Sequence, residues 1–179
     1  MGDEKKRVLW VGLDDSNHGN YPELALAYFS TISGDFLLDN FYFHRDPNLL
    51  NRLQSPRRDY RFLLFSKSDI VPGLDNLAVA GPSLIFPFIE EKGPFEEVVL
   101  GVDGHLNSSS KAHLRQELSD YFETISVNGF IKYKQGHGKD KFYSQPKILA
   151  WADAQVHHLA STLSLKNLQS HEKIVPLRS

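Results

Sequence analysis

Two segments of this chain read as strands that must be covered on both faces. Val8-Leu9-Trp10-Val11-Gly12-Leu13-Asp14 and Val98-Val99-Leu100-Gly101-Val102-Asp103 are apolar with almost no alternation. That is the pattern of central strands in an α/β sheet with helices above and below it. Each run ends in an aspartate, a poor strand former. A carboxylate at the end of a buried strand is aimed at the rim of the sheet, where loops and ligands meet.

The segments between them set the topology. Glu23 to Thr31 is a second apolar run, with Leu, Ala and Glu that also suit a helical turn. Ser33-Gly34-Asp35 supplies a turn and Phe36 to Phe43 follows, so the spacing predicts an antiparallel meander of three strands. Tyr60 to Phe65 reads as a strand or a buried extended segment. Leu74 to Glu91 reads as helical but broken, because Pro82 and Pro87 each remove a hydrogen bond. Asn107 to Ser110 offers N-caps for a helix to about Phe122, with Leu114, Leu118, Tyr121 and Phe122 as its apolar stripe. Ile125 to Tyr133 is a further strand. A last helix begins near Pro146, a favoured first residue, and carries Ile148, Ala152, Val156, Leu159 and Leu163 at helical spacing. The tail from about 166 to 179 lacks periodicity and reads as surface or frayed. The order predicts one α/β domain over 1–179, with its core in about 8–163. Its sheet is mixed and five-stranded, a meander joined to parallel strands and flanked by helices.

Composition narrows the chemistry. The chain has 179 residues, 41% of them hydrophobic, enough for a core without staples. It has no cysteine. That excludes disulfides, thiolate zinc sites, iron–sulfur clusters and a cysteine nucleophile. No apolar run approaches the length of a membrane span, and the charged start has neither a secretory apolar region nor the serine or threonine that myristoylation wants, Lys6 standing there. A soluble, cytoplasmic protein is the expectation, with no membrane partner.

Three aspartates stand out. Asp14 and Asp103 end the two central strands, and Asp153 sits in the last helix between Ala152 and Ala154, with no capping role to explain it. Aspartates at strand ends and helix caps are common in any α/β protein, so each alone also has a structural reading. Together they suit a hard cation, held by carboxylates, water and phosphate oxygens. Two such cations can clamp the attacking and leaving oxygens of a phosphoryl displacement.

The same residues resemble a family. Val11-Gly12-Leu13-Asp14-Asp15-Ser16-Asn17-His18-Gly19 is similar to the first-strand motif of ribonuclease-H-like nucleases, nearest to the type 2 ribonucleases H, which read Gly-Ile-Asp-Glu-Ala-Gly-Arg-Gly. Leu100 to Gly104 resembles their Val-Asp-Gly strand end. Ala152-Asp153-Ala154 looks like the segment carrying the last carboxylate in related resolvases and integrases. The likeness spans about 8–163 in order, on short motifs. It implies a ribonuclease-H-like fold and Mg²⁺ or Mn²⁺ on Asp14, Asp15, Asp103 and Asp153. Asp15 stands where the type 2 enzymes have Glu, and His18 where they have the substrate-contacting arginine. His137, between two glycines before the last helix, matches the mobile loop histidine of type 1 enzymes, a candidate proton shuttle; such a loop histidine is also simply an exposed one.

The formal charge of −2 hides an asymmetry. His44 to Ser68 holds six cations against two carboxylates, and Lys132 to Lys147 holds five against one. Such clusters suit phosphate backbones, and also suit solvated loops. Arg57, Arg58, Arg61, Lys134, Lys139 and Lys141 are therefore candidate substrate contacts with His18, and a nucleic acid (RNA, DNA or hybrid) is the expected partner. A zinc site from His18, His105 and Asp14 is a minor alternative. The expected activity is metal-dependent phosphodiester hydrolysis, with Asp14, Asp103, Asp153 and His137 as the catalytic candidates. Two alternatives stand beside it: a non-catalytic binding module for nucleic acid or protein, and a hydrolase of a small phosphorylated molecule.

Overall fold

A computed structural model describes residues 6–16, 20–39, 48–103, 106–133 and 145–179. Its strands are β1 (Val8–Ser16), β2 (Glu23–Ser30), β3 (Leu38–Asp39), β4 (Arg58–Phe65), β5 (Glu97–Val102), β6 (Asn128–Tyr133) and β7 (Gln145–Pro146). Its α-helices are α1 (Leu49–Arg52), α2 (Asn76–Lys92), α3 (Ser108–Thr124), α4 (Lys147–Thr162) and α5 (Leu165–Gln169). Five strands form one mixed sheet in the order β4-β2-β1-β5-β6. β2 runs antiparallel to both its neighbours, whereas β1, β5 and β6 are parallel.

β1 is central, as its composition requires. Leu9, Val11 and Leu13 enter the core beneath α2 and α3, while Trp10 packs with the cluster under α4. Alternation along the strand thus feeds two cores, one on each face. No described helix is long and apolar enough to cross a membrane.

The meander differs from the pattern read in the sequence. Its third strand is β4, not the 36–43 segment. Ser33–Phe36 is a 3₁₀ turn, and Leu38–Asp39 pairs instead with Gln145–Pro146 in a separate small sheet; residues 40–43 lie outside the described residues. β4 takes the place because Phe62 fills one core while Leu63 and Phe65 fill the other.

α2 is also unbroken, 17 residues through both Pro82 and Pro87. Each proline removes one backbone bond. The helix is buried on nearly every side, from Leu77 to Ile89, so packing outweighs that loss. Asn107 caps α3 through its side chain, which accepts from the Ser110 N–H at 2.8 Å. Pro146 precedes α4 as its N-cap residue and is not its first helical one.

The tail is ordered against the sheet. Leu168 is buried. The Phe62 N–H donates to the Lys173 carbonyl at 3.1 Å and the Val175 N–H to the Phe62 carbonyl at 2.9 Å. This short pairing covers part of the exposed edge of β4, a site that otherwise invites pairing with another chain.

Candidate functional site

The site is built on a pair of glycines. Gly12 of β1 and Gly101 of β5 stand side by side in the parallel register. A Cβ on Gly12 would meet the Ile148 backbone oxygen at 2.8 Å, and one on Gly101 the Leu149 side chain at 3.3 Å. The missing side chains let α4 lie directly on the two central strands. Two residues further along each strand, on the same face, come Asp14 and Asp103. The Asp103 N–H donates to the Leu13 carbonyl at 2.9 Å, so the parallel pairing extends to the two aspartates.

Asp14 is 6% exposed. Its Oδ1 accepts from the Asp15 N–H at 2.8 Å, while Oδ2 has no partner among the described residues. Burial, then the charges of Asp103 and Asp153, push its carboxyl well above the usual range. Asp103 is half-buried. Asp153 is exposed on α4 beside the fully buried Ala152, yet close enough for its charge to act on Asp14. The charges of Asp103 and Asp153 therefore both act on Asp14, although Asp153 itself is exposed. The Ser16 hydroxyl is a second buried polar atom without a partner among the described residues. It lies two residues beyond Asp14 on the same face.

Asp15 points the other way. Its carboxyl is pushed up to about 8, by burial first, then by its hydrogen bond to Glu23 and the charges of Glu23, Asp103 and Asp75. Glu23 is buried and accepts from the Asn76 amide at 3.2 Å. Asp15 thus belongs to a second carboxyl group on the α2 side, joined to the first through Asp103. The resemblance had no counterpart for Glu23. Its one signal in the sequence is a charge heading an otherwise apolar strand.

The arginines stand elsewhere. Arg58 makes a two-pronged ion pair with Asp35, at 2.8 and 3.0 Å, and lies over the Trp151 ring. Arg61 pairs with Asp59 and Glu91. Arg57 donates to the Thr31 carbonyl at 2.6 Å. Arg57 and Arg58 flank the far end of β2, opposite the start of β1. Arg61 stands opposite Ala27, level with Leu13, but its guanidinium is held by Asp59 and Glu91, and none of the three bonds to Asp14. His18, His105, His137, Lys134, Lys139 and Lys141 lie outside the described residues.

Among the described residues, no three carboxylate or imidazole groups by themselves form a metal-binding set. The donors present suit a hard cation that keeps most of its water. Such an ion needs one or two carboxylates, and a buried carboxylate oxygen without a partner is one available ligand. No family model matches the chain, and no curated protein matches it.

Proposed function

We propose that the protein is a ribonuclease-H-like, metal-dependent nuclease that hydrolyses phosphodiester bonds. The observation that carries this reading is the buried Asp14 Oδ2, unpartnered among the described residues, at the rim where Asp103 and Asp153 add negative charge. Grouping like charges is costly unless a cation offsets them. The element order, with a three-stranded meander followed by helix, strand, helix, strand and helix, supports the family resemblance.

Asp14 and Asp103 would hold Mg²⁺ or Mn²⁺, and Asp153 would add to the negative charge around it. A divalent cation there supplies charge to the phosphodiester oxygens and lowers the pKa of a water. Asp14 is fixed by the Asp15 N–H and by its strand. The glycine pair fixes the approach of α4, and with it the place of Asp153.

A second reading keeps the carboxylates and changes the substrate to a small phosphorylated molecule. It is favoured by Arg57 and Arg58, which stand at the far end of β2, and by Arg61, whose guanidinium is taken up by Asp59 and Glu91. Cleavage assays with Mg²⁺ or Mn²⁺ on DNA, RNA, hybrid and branched substrates separate the two. The nuclease predicts cleavage by the wild type and its loss in Asp14→Asn. No cleavage by the wild type, or equal cleavage by both proteins, overturns it.

A further inference from the structure

At the end of the sheet opposite Asp14, a concave pocket of about 410 Å³ opens between the start of β1, the end of β2, the end of α2 and the start of β4. Its volume is that of a small-molecule site. Leu9, Phe29, Phe88 and Phe95, all buried, close it on the core side. Five cationic side chains and one carboxylate line it.

The partners of those cations divide them into two groups. Arg58 is matched by Asp35, Lys173 by Asp59, and Lys92 by Glu91 on the surface. Arg7 and Arg57 have no carboxylate partner for their side chains among the described residues. Arg7 donates through Nη2 to the Lys92 carbonyl at 2.7 Å and lies over the Phe95 ring. Arg57 donates through Nε and Nη2 to the hydroxyl and carbonyl oxygens of Thr31. Neutral acceptors orient a guanidinium without cancelling its charge, and each arginine keeps further N–H donors for another partner. Two oriented guanidinium groups on one concavity suit a phosphate, whose oxygens they can grip in pairs.

We propose that this pocket binds a small phosphate-bearing molecule, gripped by Arg7 and Arg57. The site lies five residues from Asp14 along β1, or about 16 Å, and on the other face of the sheet. It is therefore separate from the carboxylate rim and does not depend on the nuclease reading.

Calorimetric titration with inorganic pyrophosphate tests it. The protein is first stripped of metal on a chelating resin, so that the carboxylate site cannot recruit phosphate through a cation. Saturable binding is expected in the wild type and unchanged in Asp14→Asn. Arg57→Gln should weaken it about tenfold or more, the worth of a charged hydrogen bond. Arg7→Gln should do the same, and it serves if the loss of the Thr31 bonds unfolds the first variant. The proposal is overturned if the wild type does not bind, if the folded arginine variants bind as tightly as the wild type, or if Asp14→Asn abolishes binding.

Discussion

The two ends of the central sheet handle charge in opposite ways. At the far end, carboxylates are matched by cations: Arg58 grips Asp35 with two bonds, and Asp59 is shared by Arg61 and Lys173. At the rim where β1 and β5 end, carboxylates gather on carboxylates, and one buried oxygen of Asp14 has no partner among the described residues. Matched ions are explained by folding alone. Unmatched buried ions cost stability, and that cost marks a place where something else supplies the counter-charge.

The largest expected effect follows from Asp14→Asn. The variant should lose about a hundredfold or more of any metal-dependent cleavage. It should also melt higher than the wild type in metal-free buffer, because an amide replaces a buried carboxyl beside like charges. Asp35→Asn at the other end makes the same chemical change with the opposite sign. It leaves the Arg58 guanidinium, whose side chain is 18% exposed, without its carboxylate. A loss of about 3 kcal/mol is expected, measured by denaturant unfolding. If both variants are destabilised alike, Asp14 is an ordinary structural carboxylate and the contrast between the ends fails.

Next in size are the glycines that seat α4. Gly12→Ala drives a Cβ into the Ile148 carbonyl, which belongs to the backbone and cannot turn aside. A cost of about 1–3 kcal/mol is expected, together with weaker Mn²⁺ binding as α4 and Asp153 shift from Asp14. Gly101→Ala meets only the Leu149 side chain, at the longer distance of 3.3 Å, and should cost less. Calorimetric Mn²⁺ titration and thermal unfolding of the two variants check the order. If Gly101→Ala proves the more damaging, the seat of α4 lies over β5 and not over β1.

The same contrast separates what was legible in the sequence from what was not. β1 and β5 could be read because a strand covered on both faces leaves a continuous apolar run, and Asp14 and Asp103 could be read because they break it, although β1 runs on to Ser16 and β5 stops at Val102. Their convergence with Asp153 needed the helix to sit on Gly12, a fact of packing. The proline rule misjudged α2 because it is local, and the burial that holds this helix together is not. Residues 36–43 and 58–65 are both apolar enough for a strand. Which of them joins the meander depends on filling both cores at once, as Phe62, Leu63 and Phe65 do. The basic stretch around Arg57 was legible as charge. Its partners Asp35 and Asp59 are on other elements or bonded to the tail, so its remoteness from the rim was not legible.

The smallest effect is a difference in pH response. In the folded protein Asp15 keeps its proton up to about pH 8, chiefly through burial and then Glu23. In the unfolded chain it releases that proton near pH 4, at about the ordinary aspartate value. Its contribution to stability is therefore complete below about pH 4 and lost as the pH rises towards 8. Asp59 is the opposite case. Burial would raise its carboxyl, but the bonds from Lys173 and Arg61 hold it below the ordinary range. Its contribution is complete above the ordinary aspartate value and is lost as the pH falls through the lowered one. Asp15→Asn should consequently flatten the decline in stability between about pH 4 and 8. Asp59→Asn should destabilise the protein at neutral pH and do progressively less in acid. Unfolding midpoints measured across the pH range give both slopes. Changes of the same sign in the two variants would show that the two ends do not differ in the way their geometry requires.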